Sequence, residues 1–109
     1  MFSTVFTGNL GQDPDFRYAA NGEAYMRLQV AVSTGKDSQP LWVKVVAFGK
    51  TAEWLSQAGA KKGNRVTVMA DSCPELETFQ RKDGSWDSGL VVKASRVEVQ
   101  TDLPPLRGK

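Results

Sequence analysis

Apolar and polar residues alternate along several stretches of the chain, which is the pattern of strands with one buried face. The clearest stretch is AYMRLQVAVST at residues 24–34, where single polar residues separate Met26, Leu28 and Val30. Comparable stretches lie at residues 3–10, 40–50, 64–70, 75–80 and 86–100. The stretches at 75–80 and 86–100 flank a turn, so we count them together as one hairpin. The pattern therefore predicts an all-β domain of about five main strands.

Turn residues separate these stretches, and one helix interrupts them. Asn21-Gly22 and Asp83-Gly84 are strong signals for tight hairpin turns. The segment KTAEWLSQAGAKKG at residues 50–63 has helical spacing, which predicts a helix of about two to three turns. We expect Thr51 to be its N-cap and Trp54 to pack in the core.

Five strands with one short helix between strands 3 and 4 is the layout of an OB-fold. This fold is a small, partly open barrel whose exposed face binds oligonucleotides or oligosaccharides. The pattern therefore predicts one OB-fold domain over residues 1–100, followed by a short disordered C-terminal tail, TDLPPLRGK, at residues 101–109.

The strand in PLWVKVVAFGK, residues 40–50, has an unusual second face. A period of two places Trp42 and Phe48 together with Lys44 on that face. The opposite face is apolar and predicts core positions at Leu41, Val43, Val45 and Ala47. Two large aromatic rings beside a lysine suit stacking of nucleic-acid bases next to a phosphate. The alternative is that Trp42 packs in the core or in a subunit interface.

Composition narrows the functional classes. The chain has 109 residues, enough for one domain, and its net charge is only +2, so affinity for a polyanion must come from local clusters. It contains no histidine, the commonest general base and metal ligand; we expect no metal and no cofactor. Cys73 is the only cysteine, and no membrane-spanning or signal-peptide pattern occurs, so we expect a cytoplasmic protein.

Three strings carry a resemblance to a known family. They are TGNLGQDPDFRYAANG, VVAFGKTAEW and KKGNRVTV, at residues 7–22, 45–54 and 61–68. Their content and order resemble those of bacterial single-stranded DNA-binding proteins, including plasmid- and phage-encoded ones. The resemblance implies an OB-fold that assembles as a homotetramer, coats single-stranded DNA in replication, recombination or repair, and is not an enzyme. The basic tail lacks the acidic tip with which family members recruit other replication enzymes, so we expect no such recruitment.

The resemblance also implies roles for individual residues. Trp42 and Phe48 match the stacking positions of the family, and Phe79 matches a third. Trp86 is a further candidate, either for stacking or for covering the hairpin. The basic candidates for phosphate contacts are Lys44, Lys50, Lys61, Lys62, Arg81, Lys82, Arg27 and Lys36. Because Glu75 and Glu77 stand where members often have basic residues, we expect weaker DNA binding than is typical of the family.

Three alternatives from other classes stay open. A primosome-type OB protein would be a dimer that bridges DNA and replication proteins. An RNA-binding OB module would use the same stacking chemistry. A metal-dependent nuclease would need a carboxylate pair such as Asp13 with Asp15 or Asp83 with Asp87, but aspartates beside turns ordinarily bond to the backbone.

Overall fold

The structure is a computed structural model that describes residues 3–35 and 39–100, so Lys36 and the predicted tail at 101–109 lie outside the described residues. Within these described residues, one helix, α1, lies between the fourth and fifth of eight strands. Their bounds are β1 Thr4–Leu10, β2 Asp15–Tyr18, β3 Ala24–Val32, β4 Leu41–Phe48, α1 Gly49–Ser56, β5 Arg65–Ala70, β6 Glu75–Gln80, β7 Trp86–Lys93 and β8 Arg96–Gln100.

The strands form one sheet in the order β6-β7-β4-β3-β1-β5-β8, and β2 pairs with β3 beside this path. β4 and β7 are parallel. Only Ala94 and Ser95 separate β7 from β8, and their N–H groups donate to the carbonyl oxygens of Val46 and Met69 over 2.8 Å. These two bonds join the bend to β4 and to β5, and the continuous β7–β8 segment thereby connects the two sides of the sheet, which curls into a partly open barrel.

The predicted all-β architecture with one short helix is confirmed, although more strands form than predicted. β1, β3, β4, β5 and the bent β7–β8 segment supply the five main strands, and α1 follows the third of these. β6 corresponds to the predicted stretch 75–80 and forms the predicted hairpin with β7, whereas β2, which pairs with β3, was not predicted. Both predicted turns are present, with positive φ values of 87° at Gly22 and 92° at Gly84, a conformation that glycine adopts without steric cost.

The core lies inside the curl, where the inward residues of each strand meet. In β3 and β4, alternate residues are buried as predicted, including Leu28, Val30 and Val45. Leu41 is an exception, because it is the first residue of β4 and is 43% exposed. At this end of the strand the barrel no longer shields the side chain from solvent, whereas Val43, two residues further along, is buried.

Two expectations for the helix are wrong. α1 begins at Gly49, so Thr51 lies within its first turn and its hydroxyl donates to the Ser95 carbonyl oxygen over 3.4 Å instead of capping. Trp54 is 79% exposed. An eight-residue helix buries only one narrow face, here that of Ala52 and Leu55, and adjacent residues lie about 100° apart around a helix. Trp54 is therefore turned away from the core.

Candidate nucleic-acid interface

The outer face of β4 carries the predicted aromatic residues. Trp42 is 50% exposed and Phe48 is 39% exposed, whereas Val43, Val45 and Ala47 between them are buried. The period of two therefore assigns the faces of this strand correctly. Within this chain, Trp42 is not a core residue.

Trp42 lines a groove whose opposite wall is the β6–β7 hairpin. This groove, called the Trp42 groove below, has a volume of about 500 Å³ and is lined by Trp42, Lys44, Phe79, Arg81, Glu77, Asp87 and their neighbours. Phe79 is 43% exposed, and it shares a face of the hairpin with its register partner Asp87. Two predicted aromatics and two predicted cations thus meet in one groove.

Gly11 supports the ring of Trp42. A Cβ atom built at Gly11 would lie 2.4 Å from a ring carbon of Trp42, so the indole lies directly against this backbone. The Gly11 N–H donates to the Gln29 carbonyl oxygen over 2.9 Å, which fixes the segment beside β3. Gly11, the second glycine of the GNLGQDP string, thus has a local structural role, because it leaves room for the ring of Trp42.

The cations of the Trp42 groove are paired with carboxylates. Lys44 Nζ lies 3.0 and 3.1 Å from the two carboxylate oxygens of Glu77. Arg81 donates to the Asp87 carboxylate, and this hydrogen bond, followed by one from the Ser88 backbone, lowers the pKa of Asp87 below its usual value. Each pair joins a predicted phosphate contact to an acidic residue of the hairpin.

A second aromatic cluster surrounds Phe48 at the other end of β4. The Tyr25 ring centroid lies 6.4 Å from that of Phe48, and Lys93 Nζ lies 5.5 Å from the Phe48 centroid. Both neighbours were missed by sequence reasoning. Lys93 reaches this place because β7 runs parallel to β4 with Lys93 opposite Val46, a long-range pairing without a local sequence signal. Tyr25 has a local signal, since the alternation along β3 places it on the face opposite that of Met26 and Leu28.

Arg27 lies on the outer face of β3 opposite Val46, between the two aromatic clusters. Its guanidinium lies 2.9 Å from the Asp15 carboxylate, which Arg17 also contacts at 3.1 Å. Hydrogen bonds from Arg27 and then Arg17 lower the pKa of Asp15. Arg27 is thus on the predicted face, but it already has an anionic partner.

Other candidates lie elsewhere on the surface. Lys50 lines a separate cavity between α1 and β8 with Trp54. Lys61 and Lys62 are exposed in the turn before β5, where their N–H groups bond to Asn64 and Asp13. Neither of these two lines the Trp42 groove.

The hairpin divides its own candidates between two faces. Lys82 lies at the tip beside Phe79 and Arg81. Trp86 is opposite Gln80 in the register, on the other hairpin face from Phe79, and is 68% exposed. Trp86 therefore does not join Phe79 in the Trp42 groove.

The acidic residues considered for a nuclease site have other partners. Asp15 binds the arginines, and Asp83 accepts hydrogen bonds from the side chain and backbone of Ser85, which lower its pKa. Across residues 3–35 and 39–100, no group of three potential metal-ligating side chains occurs. No helix in these ranges is long and apolar enough to cross a membrane.

Comparison with known proteins identifies the family. The model of the single-strand binding protein family matches residues 1–100. The chain belongs to this family. A single-stranded DNA-binding protein of Deinococcus radiodurans is 32% identical over 106 residues, covering 91% of this chain and 35% of that protein. The crystal structure of the single-stranded DNA-binding protein from Thermus aquaticus matches with a TM-score of 0.67 at 29% identity, covering 99% of this chain and 44% of the other.

These comparisons confirm the OB-fold type of architecture and the recognised family. The chain spans about a third of the length of the Deinococcus relative and under half of the Thermus one. The likeness therefore covers the part of those proteins that corresponds to this folded domain.

Proposed function

We propose that this chain binds single-stranded DNA without sequence preference, by stacking bases on Trp42, Phe79 and Phe48. The observation that carries the proposal is the Trp42 groove, where two half-exposed aromatics from separate strands face a shared cleft that also contains Lys44 and Arg81. A stacked base contributes about 1 to 3 kcal/mol whatever its identity, because every base has a π face.

The second aromatic cluster extends this surface along β4. Phe48 follows Trp42 by six residues, which corresponds to about 20 Å along a strand. Arg27 and Lys93 lie on the same outer surface, the latter over the Phe48 ring. A single strand lying along β4 would pass from one aromatic cluster to the other with cations beside its backbone.

We further propose that the chain acts as a binding protein without catalysis and assembles as a homotetramer. Membership of a family of single-strand binding proteins supports the first point. For the second, exposed apolar side chains such as Val5, 67% exposed on β1, offer surface for contacts between copies. A dimer would instead favour the primosome-type alternative.

Tryptophan fluorescence tests DNA binding directly. Adding unstructured polythymidine should quench the emission, and Trp42→Phe should remove much of this quenching. Trp54→Phe is the matched control, because Trp54 lies on α1 outside the Trp42 groove. A wild-type chain that shows no quenching and no change in mass with the oligomer would refute the proposal.

Two further measurements separate the alternatives. Light scattering gives the mass of the assembly, for which we expect that of a tetramer. Competition between polythymidine and polyuridine compares DNA with RNA, and tighter binding of polyuridine would favour the RNA-binding module.

A further inference from the structure

The positive charges of the Trp42 groove are balanced within the groove, because each cation has an acidic partner there. Lys44 and Arg81 supply two positive charges, and Glu77 and Asp87 supply two negative charges. Lys44 Nζ lies 3.1 and 3.0 Å from the two carboxylate oxygens of Glu77, so Glu77 uses hydrogen-bonding capacity of the ammonium group that a phosphate would need. A phosphate approaching Lys44 or Arg81 would therefore compete with a carboxylate for the same cation.

The sheet order creates the Lys44–Glu77 pair. β7 lies between β4 and β6. Lys44 is opposite Val91 of β7, two residues from the partner of Glu77, so Lys44 reaches Glu77 diagonally across β7. The residue of β7 opposite Glu77 is Gly89, so no side chain stands at that position. The pairing therefore depends on an acidic residue at position 77 and on the register in which β4 and β6 pair with β7.

Competition by these carboxylates changes what a bound strand gains. A phosphate that reaches Lys44 must replace Glu77, and the exposed carboxylate left beside it repels the phosphate. Stacking on Trp42 and Phe79 involves no such exchange. Because the salt dependence of binding comes from phosphates neutralised by protein cations, paired cations should contribute little of it.

We propose that Glu77 and Asp87 are specificity-determining residues. They make the Trp42 groove select its ligand by base stacking, with little contribution from the charge of the nucleic-acid backbone. The proposal rests on the proposed function, since it concerns how the same groove reads a single strand. It assigns to the acidic residues of the hairpin a role opposite to that of Lys44 and Arg81.

The test compares two ligands that differ only in backbone charge. Polythymidine and an uncharged methylphosphonate oligothymidine of equal length are titrated against the full chain over a series of salt concentrations. Glu77→Gln should raise the affinity for polythymidine by about 1.4- to 5-fold, the range for freeing one exposed ion pair. It should also steepen the log–log salt slope by up to about 0.7. Affinity for the uncharged ligand should not change.

Glu75→Gln is the matched control. Glu75 lies on the same strand and the same face, carries the same charge, and makes no ion pair with a cation among the described residues. Equal effects of Glu75→Gln and Glu77→Gln would show a general charge effect and would overturn the proposal. Asp87→Asn should act as Glu77→Gln does, through Arg81.

Trp42→Ala distinguishes failure of this proposal from failure of the proposed function. If Trp42→Ala weakens binding but Glu77→Gln and Asp87→Asn leave polythymidine affinity and salt slope unchanged, only the present proposal is wrong. If Trp42→Ala has no effect on binding, the groove is not the DNA site and both proposals are wrong. Thermal melting of each variant verifies that it is folded.

Discussion

Substituting Gly11 by alanine should weaken DNA binding without unfolding the protein. The added Cβ would lie 2.4 Å from the nearest ring carbon of Trp42, whereas favourable carbon contacts need about 3.5 to 4.0 Å. The ring must therefore move by about 1 to 1.5 Å. Because Trp42 is half exposed, it can swing outward, and the displacement falls on the stacking platform and leaves the core intact.

The expected magnitude follows from the stacking energy. Loss of part or all of one platform costs up to about 1 to 3 kcal/mol, which is about a 5- to 150-fold loss of affinity. The melting temperature should change by no more than a few degrees, as for surface substitutions. Affinity for polythymidine and thermal melting, measured on the same preparation, test both expectations.

Gly89→Ala is the control on the other wall of the same groove. A Cβ at Gly89 would lie 3.9 Å from the Phe79 ring, an ordinary contact, so this variant should bind almost as the wild type does. Unchanged affinity in Gly11→Ala, in a protein whose Trp42→Ala variant binds poorly, would refute the idea that Gly11 seats the ring.

Three other outcomes are expected. Trp54→Ala should barely lower the melting temperature, because Trp54 is 79% exposed. Leu55→Ala, at a buried position, should lower the free energy of unfolding by about 2 to 5 kcal/mol. Similar losses of stability in the two variants would contradict the assigned helix faces. Lys44→Ala should flatten the log–log salt slope by less than the value of about 0.7 for a phosphate contact from an unpaired cation. A decrease in slope by the full value of about 0.7 would mean that Glu77 does not compete with the phosphate. The lowered pKa of Asp15 stabilises the fold above the usual aspartate pKa, and this stabilisation is lost as pH falls through the lowered value. Asp15→Asn should therefore be less stable than wild type at neutral pH, with the difference shrinking in acid melts; a constant difference would refute the linkage.

Local patterns were sufficient to predict the main strands and the two hairpin turns. Alternation in β3 and β4 identifies the buried residues because one face of each strand contacts the barrel interior, and Asn21-Gly22 identifies its hairpin because glycine accepts the positive φ. The faces of β4 followed from the same rule. These features depend on neighbours in the chain, which a sequence displays directly.

Features that depend on distant pairing were not predictable in this way. Glu77 meets Lys44 only because β6 and β4 both pair with β7, and Lys93 meets Phe48 only through the parallel register. The prediction that Trp54 packs in the core fails for a different reason. Helical spacing identifies which residues share a face, but the length of α1 and its position over β3 decide how wide the buried face is.

The bend between β7 and β8 has a consequence for how the protein folds. The β6–β7 hairpin is local in sequence and can form early, but its docking on β4 pairs residues that are 47 positions apart in the chain, and such non-local pairing is slow. Since one wall of the Trp42 groove comes from this hairpin, the groove is complete only after the docking step. We expect refolding chains to acquire DNA affinity in their slowest phase, when the N–H groups of Ala94 and Ser95 bond to β4 and β5. Stopped-flow mixing with polythymidine during refolding would reveal this order, and early DNA binding would contradict it. Affinity for DNA would then report the last pairing event of the barrel.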